Sequence, residues 1–511
     1  MVKALLMTFA VTYSRAQIGI QAPLVTVEAD ISQGLPQIQI IGLPATTVKE
    51  AKDRVKAAIV NAGFKTPSRR VTVNLAPADL PKQGGRYDLA IALAILAANG
   101  DLPTAALTGT EWLGELALDG ALRPVTGVLP AVIQSAASKR LLIVPFSNSA
   151  ESSLGGQANV RVANSLLEVI RYLVEKQPLE SPAAVSLTTN HTDHPSLQDV
   201  KGQVHAKRAL MIAAAGGHNL LFIGPPGTGK TMLASRLRGL LPQLTLDEAL
   251  EVASVHSVSN HAFDLNQWRQ RPFRSPHHTA SPIALVGGSS APRPGEISLA
   301  HRGVLFLDEL PEYSRRVLEV LREPMESGYI MISRAQYQVC YPAQFQLIAA
   351  MNPCPCGYFG DGRGRCNCSS ERITAYRSRV SGPLMDRIDL HVVVPSIPPG
   401  LLGSETPTKG ELDDVQARQL VFQTRNTMLA RSGRLNAHLN GAQTRKDCHL
   451  AHADREFLEA AMDALGLSAR GYFKILKVAR TIADMAGEIQ IEGAHLAEAL
   501  AFRRLDRSDL P

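Results

Sequence analysis

The alternation of hydrophobic and polar positions divides this chain into three patterned regions. Up to about residue 177, short strand-like runs such as "RRVTVNLAP" alternate with runs that have helical spacing. A second alternation of this kind begins at "LQDVKGQ", and from 411 to 507 the apolar positions recur at helical spacing. The pattern therefore predicts an α+β domain, then an α/β domain, then a helical bundle.

A stretch without an apolar period separates the first two regions. The sequence "LESPAAVSLTTNHTDHP" is rich in proline, serine and threonine, which is typical of a linker. We therefore expect an N-terminal domain over 1–177, a linker over 178–195, an α/β core over 196–400 and a helical domain over 401–511.

One motif in the core predicts a nucleotide site. The apolar run Leu220–Ile223 leads into "GPPGTGKT" and then into a helical pattern, which is the context of a phosphate-binding loop. The glycines let backbone N–H groups surround phosphates, Lys230 adds a positive charge, and the Thr231 hydroxyl is a ligand for Mg²⁺. The predicted ATP-binding residues are Gly224, Pro225, Pro226, Gly227, Thr228, Gly229, Lys230 and Thr231.

Two further strands end in polar residues suited to the same site. The apolar run Val304–Leu307 is followed by Asp308 and Glu309, and the run "FQLIAAM" is followed by Asn352. We expect Asp308 to hold Mg²⁺, Glu309 to polarise the attacking water and Asn352 to orient it.

The loop "MNPCPCGYFGDGRGRCNC" concentrates four cysteines, Cys354, Cys356, Cys366 and Cys368. Its glycines allow the two CxC pairs to fold together into the tetrahedron of thiolates that structural zinc accepts. Arg363 and Arg365 are expected to help keep the thiols deprotonated. The alternative is a flexible loop with free thiols. Cys340 and Cys448 are expected to be ordinary core or surface residues.

Net charge and hydropathy limit the partners and the cellular location that we expect for this protein. The net charge is +7, which permits nucleic acid as a partner without requiring it. The longest apolar stretch, 89–98, is half of the roughly 20 residues that a membrane span needs. No export signal is recognisable, so we expect a cytoplasmic protein that has no membrane partner.

Several longer segments resemble the AAA+ ATPases, and among them the magnesium-chelatase-like ComM/YifB family. They are "DVKGQVHAKRALMIAAAGGHNLLFIGPPGTGKT", "FRSPHHTAS", "RPGEISLAHRGVLFLDELPE", "NPCPCGYFGDG", "SGPLMDRIDLHVVV" and "SARGYFKILKVARTIADM". The resemblance implies an α/β fold with an AAA+ P-loop ATPase core and a C-terminal helical lid. An α+β Lon-protease-like domain of the ribosomal S5 domain 2 type would precede them.

The same resemblance implies further site residues. Arg387 resembles the arginine that a neighbouring subunit offers to the γ-phosphate, its alternative being a salt bridge with Asp386 or Asp389. Arg470 resembles the nucleotide-sensing arginine of the lid, with Arg480 as its rival. The insertions around the 287–290 tip and in "MESGYIMISRAQYQVCYPAQF" would face the pore of a ring, where Arg334 is either a phosphate contact or a solvated side chain.

The N-terminal domain lacks the residues of a protease. A Lon-type serine would stand near Arg86 and its lysine near Leu129, so peptide hydrolysis is not expected. We expect a non-catalytic scaffold. The pair His277 and His278 has no metal-ligand partner at useful spacing and is expected to form structural hydrogen bonds.

The function that the resemblance implies is a hexameric, ATP-dependent DNA helicase or translocase. It would promote branch migration of recombination intermediates in natural transformation, with single-stranded or branched DNA and recombination proteins as partners. Two alternatives stay open. One is a chelatase motor subunit for metal insertion into a porphyrin, and the other is a protein-remodelling ring.

Overall fold

The computed structural model describes residues 8–42, 46–82, 84–156, 159–183, 195–259, 264–288, 292–334, 337–396 and 412–503. The strands of the N-terminal region are β1 (Phe9–Arg15), β2 (Leu24–Ser32), β3 (Gln37–Ile41), β4 (Arg70–Ala76), β5 (Thr110–Trp112), β6 (Glu115–Leu116), β7 (Leu122–Arg123), β8 (Leu141–Pro145) and β9 (Val160–Ala163). Its helices are α1 (Thr46–Asn61), α2 (Asp88–Ala98), α3 (Val128–Ala137), α4 (Ser149–Ser152) and α5 (Leu166–Val174).

A mixed sheet in the order β3-β4-β2-β1-β5-β8-β9 forms the centre of this region. Every residue of α2 is buried, because a helix that is apolar on all sides is stable only when it is covered on all sides. Leu179 is buried in this core, and Val162 N donates to Glu180 O at 2.9 Å, so the first residues of the predicted linker pack against the N-terminal sheet. Residues 184–194 of the predicted linker lie outside the described part of the chain.

The core region forms a second sheet and a separate hairpin. Its strands are β10 (Leu220–Ile223), β11 (Phe273–Arg274), β12 (Val304–Leu307), β13 (Tyr329–Arg334), β14 (Tyr337–Pro342), β15 (Gln346–Met351) and β16 (Leu390–Val393). Its helices are α6 (Val204–Gly216), α7 (Lys230–Leu240), α8 (Leu246–Ser257), α9 (Pro282–Val286), α10 (Glu296–Leu299), α11 (Arg315–Glu319), α12 (Pro324–Ser327), α13 (Ser370–Arg377) and α14 (Gly382–Met385).

The core sheet is parallel throughout, in the order β11-β12-β15-β10-β16. Strands β10, β12 and β15 are buried along their whole length, which explains their continuous apolar runs. Because parallel strands end at the same edge, this order places the ends of β10, β12 and β15 side by side. The three predicted motifs follow these ends. In the sequence, the hairpin β13-β14 lies between β12 and β15.

The C-terminal region is helical, as its periodicity predicts. It consists of α15 (Asp414–Ser432), α16 (Gly441–Asp447), α17 (His452–Leu465), α18 (Ala469–Ala486) and α19 (Gly493–Ala501). Buried residues of α15, α18 and α19 share one apolar cluster with α6 and β10 of the core. The helical region is therefore packed directly on the sheet that carries the phosphate loop.

The N-terminal region also contacts the core. Gly127 N donates to Ser257 O at 2.9 Å, and a Cβ at Gly19 would lie 2.8 Å from Val339 in β14. The turn between β1 and β2 is therefore seated against the hairpin. Among the helices that the structure describes, none combines the length and apolar character needed to cross a bilayer.

Candidate nucleotide and metal sites

The loop between β10 and α7 has the shape that phosphate binding requires. Gly227 and Gly229 have φ of +77° and +87°, and no heavy atom lies within 4 Å of a Cβ built on either residue. Gly224 is required for another reason, because its Cβ would lie 2.1 Å from the carbonyl oxygen of Val394. The loop therefore combines a left-handed backbone with open space in front of it, and the residues present fit a bound phosphate chain.

Lys230 points back into the loop. Its Nζ donates to the carbonyl oxygens of Gly224 and Pro225 at 2.7 and 2.9 Å and to Oδ1 of Asn352 at 3.1 Å. Burial lowers the pKa of Lys230, while the charges of Asp308 and Glu309 raise it. The sequence-predicted lysine and asparagine thus meet directly, although 122 positions separate them in the chain.

Thr231 and Asp308 meet at the predicted magnesium position. Thr231 Oγ1 donates to Asp308 Oδ2 at 2.6 Å, and the other carboxylate oxygen accepts from the backbone N–H of Glu309 at 2.9 Å. A hydroxyl and a carboxylate at this separation are the oxygen donors that Mg²⁺ prefers, so the pair fits the cation.

Glu309 has two features that its sequence position does not predict. Its backbone is left-handed, with φ 52° and ψ 47°, a conformation that costs energy in a residue other than glycine and is concentrated at functional sites. Its Oε2 lies 3.2 Å from Nδ1 of His278. His277 instead contacts Thr279 Oγ1 at 2.9 Å through its Nδ1, and the two imidazole rings have centroids 4.1 Å apart and are tilted by 34°.

Arg387 and Arg470 share one acceptor. Glu326 Oε1 lies 2.8 Å from Nη2 of Arg387 and 3.5 Å from Nη2 of Arg470. Nη1 of Arg387 donates to Pro383 O at 2.7 Å. The ion pair expected as the alternative role of Arg387 is therefore present, but its partner is Glu326 rather than Asp386 or Asp389. Both guanidinium groups therefore lie next to the same carboxylate.

Arg480 is a structural residue. It is 2% exposed, and it donates to Asp484 Oδ1 at 3.1 Å and to the carbonyl oxygens of Glu488 and Ile489 at 2.5 and 2.8 Å. These bonds tie the C-terminal end of α18 to the residues that follow it. A guanidinium held in this way cannot reach a nucleotide, so Arg470, which is exposed, is left as the sensing candidate on this helix.

The four cysteines of the loop form one cluster. Their sulfur atoms all lie within 4.8 Å of one another, and Cys354 Sγ is 3.3 Å from Cys356 Sγ and 3.8 Å from Cys366 Sγ. A zinc tetrahedron with bonds of about 2.3 Å has edges of about 3.8 Å, so the arrangement fits the metal. The folding-back that the glycines allow is thus present.

The cations near these thiols differ from the expectation. Arg365 donates to Asp361 Oδ2 at 2.6 Å and lies over the ring of Tyr358, so it is occupied within the loop. Burial lowers the pKa of Arg377, while Cys354 raises it, and Arg377 Nε donates to Pro353 O at 3.1 Å. Sequence proximity favoured Arg363 and Arg365, whereas α13 brings Arg377 back towards Cys354.

The cysteine loop is packed against the phosphate loop. A Cβ on Gly357 would lie 2.8 Å from Cδ of Pro226 and 3.8 Å from Cγ of Asn352. The four-cysteine loop and the phosphate loop are therefore in van der Waals contact through one glycine.

The two protease-equivalent positions in the N-terminal region are occupied by buried residues. Arg86 donates to Thr126 O at 2.8 Å and contacts Gln17 Oε1 at 3.4 Å, and burial lowers its pKa. Leu129 is fully buried. The two predicted pore insertions fall partly outside the described residues. Ser289 and Ser290 of the 287–290 tip and Ala335 of the hairpin are not described, and neither is the side chain of Arg334.

Two residues of the site escaped the sequence reasoning. His278 was assigned only structural hydrogen bonds, and Glu326 was not considered. For His278, its position a few residues after β11, which neighbours β12, is a signal that could have placed it near Glu309. No local pattern marks Glu326, because its partners lie 61 and 144 positions away in the sequence.

Comparisons with known proteins agree with this geometry. Family models match over 196–401 (magnesium chelatase, subunit ChlI), 27–148 (subunit ChlI of Mg-chelatase) and 413–503 (magnesium chelatase, subunit ChlI C-terminal). The competence protein ComM of Haemophilus influenzae is 52% identical over 505 residues, covering 98% of both chains. YifB of Escherichia coli is 49% identical over 501 residues, also 98% of both. The magnesium-chelatase 38 kDa subunit of Cereibacter sphaeroides is 26% identical over 176 residues, 30% of this chain and 51% of that subunit.

Proposed function

This chain belongs to the ComM/YifB family of magnesium-chelatase-like AAA+ proteins, and from that premise we propose that it is a Mg²⁺-dependent ATPase that works as a hexameric ring on DNA. One observation carries the ATPase part. Lys230 bonds to Asn352 and Thr231 bonds to Asp308, so residues of three strand ends converge on one phosphate loop. This is the constellation that in-line transfer of a phosphoryl group to water needs.

Each side chain has a separate task in this proposal. Lys230 exchanges its loop carbonyls for phosphate oxygens, and Asn352 orients the attacking water. Glu309 accepts a hydrogen bond from that water and polarises it. Mg²⁺, held by Thr231 and Asp308, would neutralise charge on the phosphate oxygens.

The shared acceptor of Arg387 and Arg470 supports catalysis between subunits. Both guanidinium groups contact Glu326, and among the described residues neither forms a hydrogen bond or ion pair with the phosphate loop of its own chain. We propose that both serve the nucleotide of the neighbouring subunit in a ring, where phosphate oxygens replace Glu326. The lid arginine then acts across the interface, and not by closing the lid over its own core.

Net charge, a similar competence protein and two insertions support action on DNA. The chain carries a net charge of +7, and the 52% identical relative is named a competence protein. Hairpin β13-β14 and the segment between α9 and α10 supply two insertions that can line a pore. We therefore propose branch migration of recombination intermediates in the cytoplasm, on single-stranded or branched DNA and alongside recombination proteins.

We also propose that the four-cysteine cluster holds a structural Zn²⁺. Four thiolates leave no open coordination position, so the metal would brace the loop and take no part in hydrolysis. The contact between Gly357 and Pro226 makes this brace part of the wall of the phosphate loop.

The test measures ATP hydrolysis and strand movement together. Purified protein is assayed on synthetic three- and four-stranded junctions, with and without ATP, beside Glu309→Gln. We expect DNA to stimulate ATPase activity and junctions to move only with wild type. A wild type whose ATPase ignores DNA and which moves neither junction would contradict the motor.

A mixing experiment tests the interface. Lys230→Ala and Arg387→Ala are each expected to keep only a small residual ATPase rate. Mixed rings contain sites in which an intact Lys230 faces an intact Arg387, so activity should reappear on mixing. If Arg387→Ala alone keeps full activity, the role in the neighbouring site is wrong.

The chelatase motor is the second candidate. The relative that supports it matches 30% of this chain, against 98% for the competence protein. Stimulation of the ATPase by a porphyrin-binding partner, with no response to DNA, would favour it. Stimulation by unfolded protein would favour a protein-remodelling ring.

A further inference from the structure

Three polar side chains from distant elements hold the backbone around Arg387. Lys474 Nζ donates to Arg387 O at 2.8 Å, and Asn219 Nδ2 donates to the same oxygen at 3.2 Å. Arg503 Nη1 donates to the next carbonyl oxygen, that of Ile388, at 2.7 Å. These bonds originate in α18, at the start of β10 and after α19, so the loop before β16 is tied to the helical region and to the sheet.

Lys474 is held in place by a buried carboxylate. Its Nζ lies 2.5 Å from Asp389 Oδ1, and Asp389 Oδ2 accepts from the backbone N–H of Asn219 at 2.8 Å. Burial would raise the pKa of Asp389, but the charge of Lys474 and these hydrogen bonds outweigh it and lower the pKa to about 2. Asp389 is therefore ionised at neutral pH. Burial lowers the pKa of Lys474, while the charge of Asp389 raises it, and the contact between the two side chains fixes the position of each.

The position of Lys474 on α18 gives this contact a consequence for the site. Arg470 lies one turn earlier on the same helix and shares Glu326 with Arg387. One helix thus carries Arg470 and, through Lys474, donates a hydrogen bond to the backbone of Arg387. A shift of α18 would move both guanidinium groups together.

We propose that Lys474 is a positioning residue, which sets the direction of Arg387 so that the helical region delivers both arginines to one phosphate group. This rests on the proposed role of Arg387. The physical reason is that stabilisation of a transferring phosphoryl group depends on placement, and a misplacement of about 1 Å costs on the order of 100-fold in rate.

The chain offers a matched control on the same helix. Lys477 is also a half-buried lysine of α18, but its Nζ donates to the carbonyl oxygens of Ala437 and Leu439 within the helical region, at 3.2 and 2.7 Å. Substituting it removes a lysine charge and two hydrogen bonds to carbonyl oxygens, and within the described part of the chain its Nζ forms no hydrogen bond to the Arg387 loop.

The experiment compares Lys474→Met and Lys477→Met in the full-length protein. Steady-state ATPase activity, binding of a fluorescent ATP analogue and ring size are measured. We expect Lys474→Met to lower kcat at least tenfold with nucleotide affinity and ring size within twofold of wild type. Lys477→Met should leave all three within twofold. A kcat for Lys474→Met within twofold of wild type would overturn the proposal, as would equal losses in the two variants.

Two further variants separate the possible failures. In an Arg387→Ala background, Lys474→Met should cause no additional loss, because it acts through a side chain already removed. An equal loss in both backgrounds would show a general structural role and contradict the proposal. If Arg387→Ala is fully active, the proposed function fails first, independently of Lys474. Should Lys474→Met not fold, Lys474→Met with Asp389→Asn leaves no unpaired buried carboxylate, and the same tenfold loss is expected.

Discussion

Replacing Gly357 by alanine tests whether the cysteine loop supports the phosphate loop. Gly357 has φ of +85°, and its Cβ would lie 2.8 Å from Cδ of Pro226. Gly362 in the same loop has φ of +70° with no heavy atom within 4 Å of its Cβ. The two substitutions therefore share the cost of a left-handed alanine and differ in the contact with the nucleotide site.

The magnitude follows from this difference. A left-handed alanine costs roughly 1–2 kcal/mol, and both variants should lose about this amount of unfolding free energy. Carbon atoms prefer separations of about 3.5–4.0 Å, so only the alanine at 357 overlaps Pro226, by about 0.7 Å or more. Overpacking of this kind costs roughly 1–3 kcal/mol. Since about 1.4 kcal/mol corresponds to tenfold in affinity, we expect Gly357→Ala to raise the Kd for ATP about tenfold.

The measurement is a titration of each variant with a fluorescent ATP analogue, with unfolding by urea as the stability control. Both variants should lose the stability that a left-handed alanine costs, and overpacking should add to the loss in Gly357→Ala, while the Kd of Gly362→Ala stays within twofold of wild type. Equal Kd values for the two variants would refute the idea that the loop braces the site.

Three other outcomes are expected. Glu309→Gln should reduce kcat at least 100-fold without weakening ATP binding. His278→Ala removes the partner of Glu309 and should raise the ATPase rate measured without DNA. An unchanged rate in His278→Ala would show that the contact does not restrain Glu309. Elemental analysis should find about one zinc ion per chain in the wild type and less than about half a zinc ion per chain in Cys356→Ser. A wild-type protein without zinc would favour free thiols. Burial lowers the pKa of His218 to about 4, so the unfolded chain takes up a proton at this position first as the pH falls below about 6.5. His218 should therefore contribute about 3 kcal/mol to the fall in the free energy of unfolding between pH 6.5 and 4, and His218→Asn should reduce that fall, measured by urea unfolding.

The phosphate loop, the acidic strand end and the cysteine cluster could be predicted because their signals are local. Strands β10 and β12 have the predicted bounds Leu220–Ile223 and Val304–Leu307. A buried parallel strand must be apolar on both faces, and the polar residues that follow it must lie at the edge of the sheet. The glycine spacing of the cysteine loop likewise requires a chain reversal that brings the thiols together.

The sequence by itself therefore determined which residues form the nucleotide and thiol sites, since neighbours in the chain are sufficient to place them. Only the tertiary structure decided which distant side chain meets each of them: His278 at Glu309, Glu326 between Arg387 and Arg470, and Lys474 beneath the Arg387 loop. Apolar periodicity states which face of an element is buried, but it carries no information about which other element covers that face. Such pairings follow from the packing of helices and strands that lie far apart in the chain, because only that packing brings the charged side chains within reach of one another.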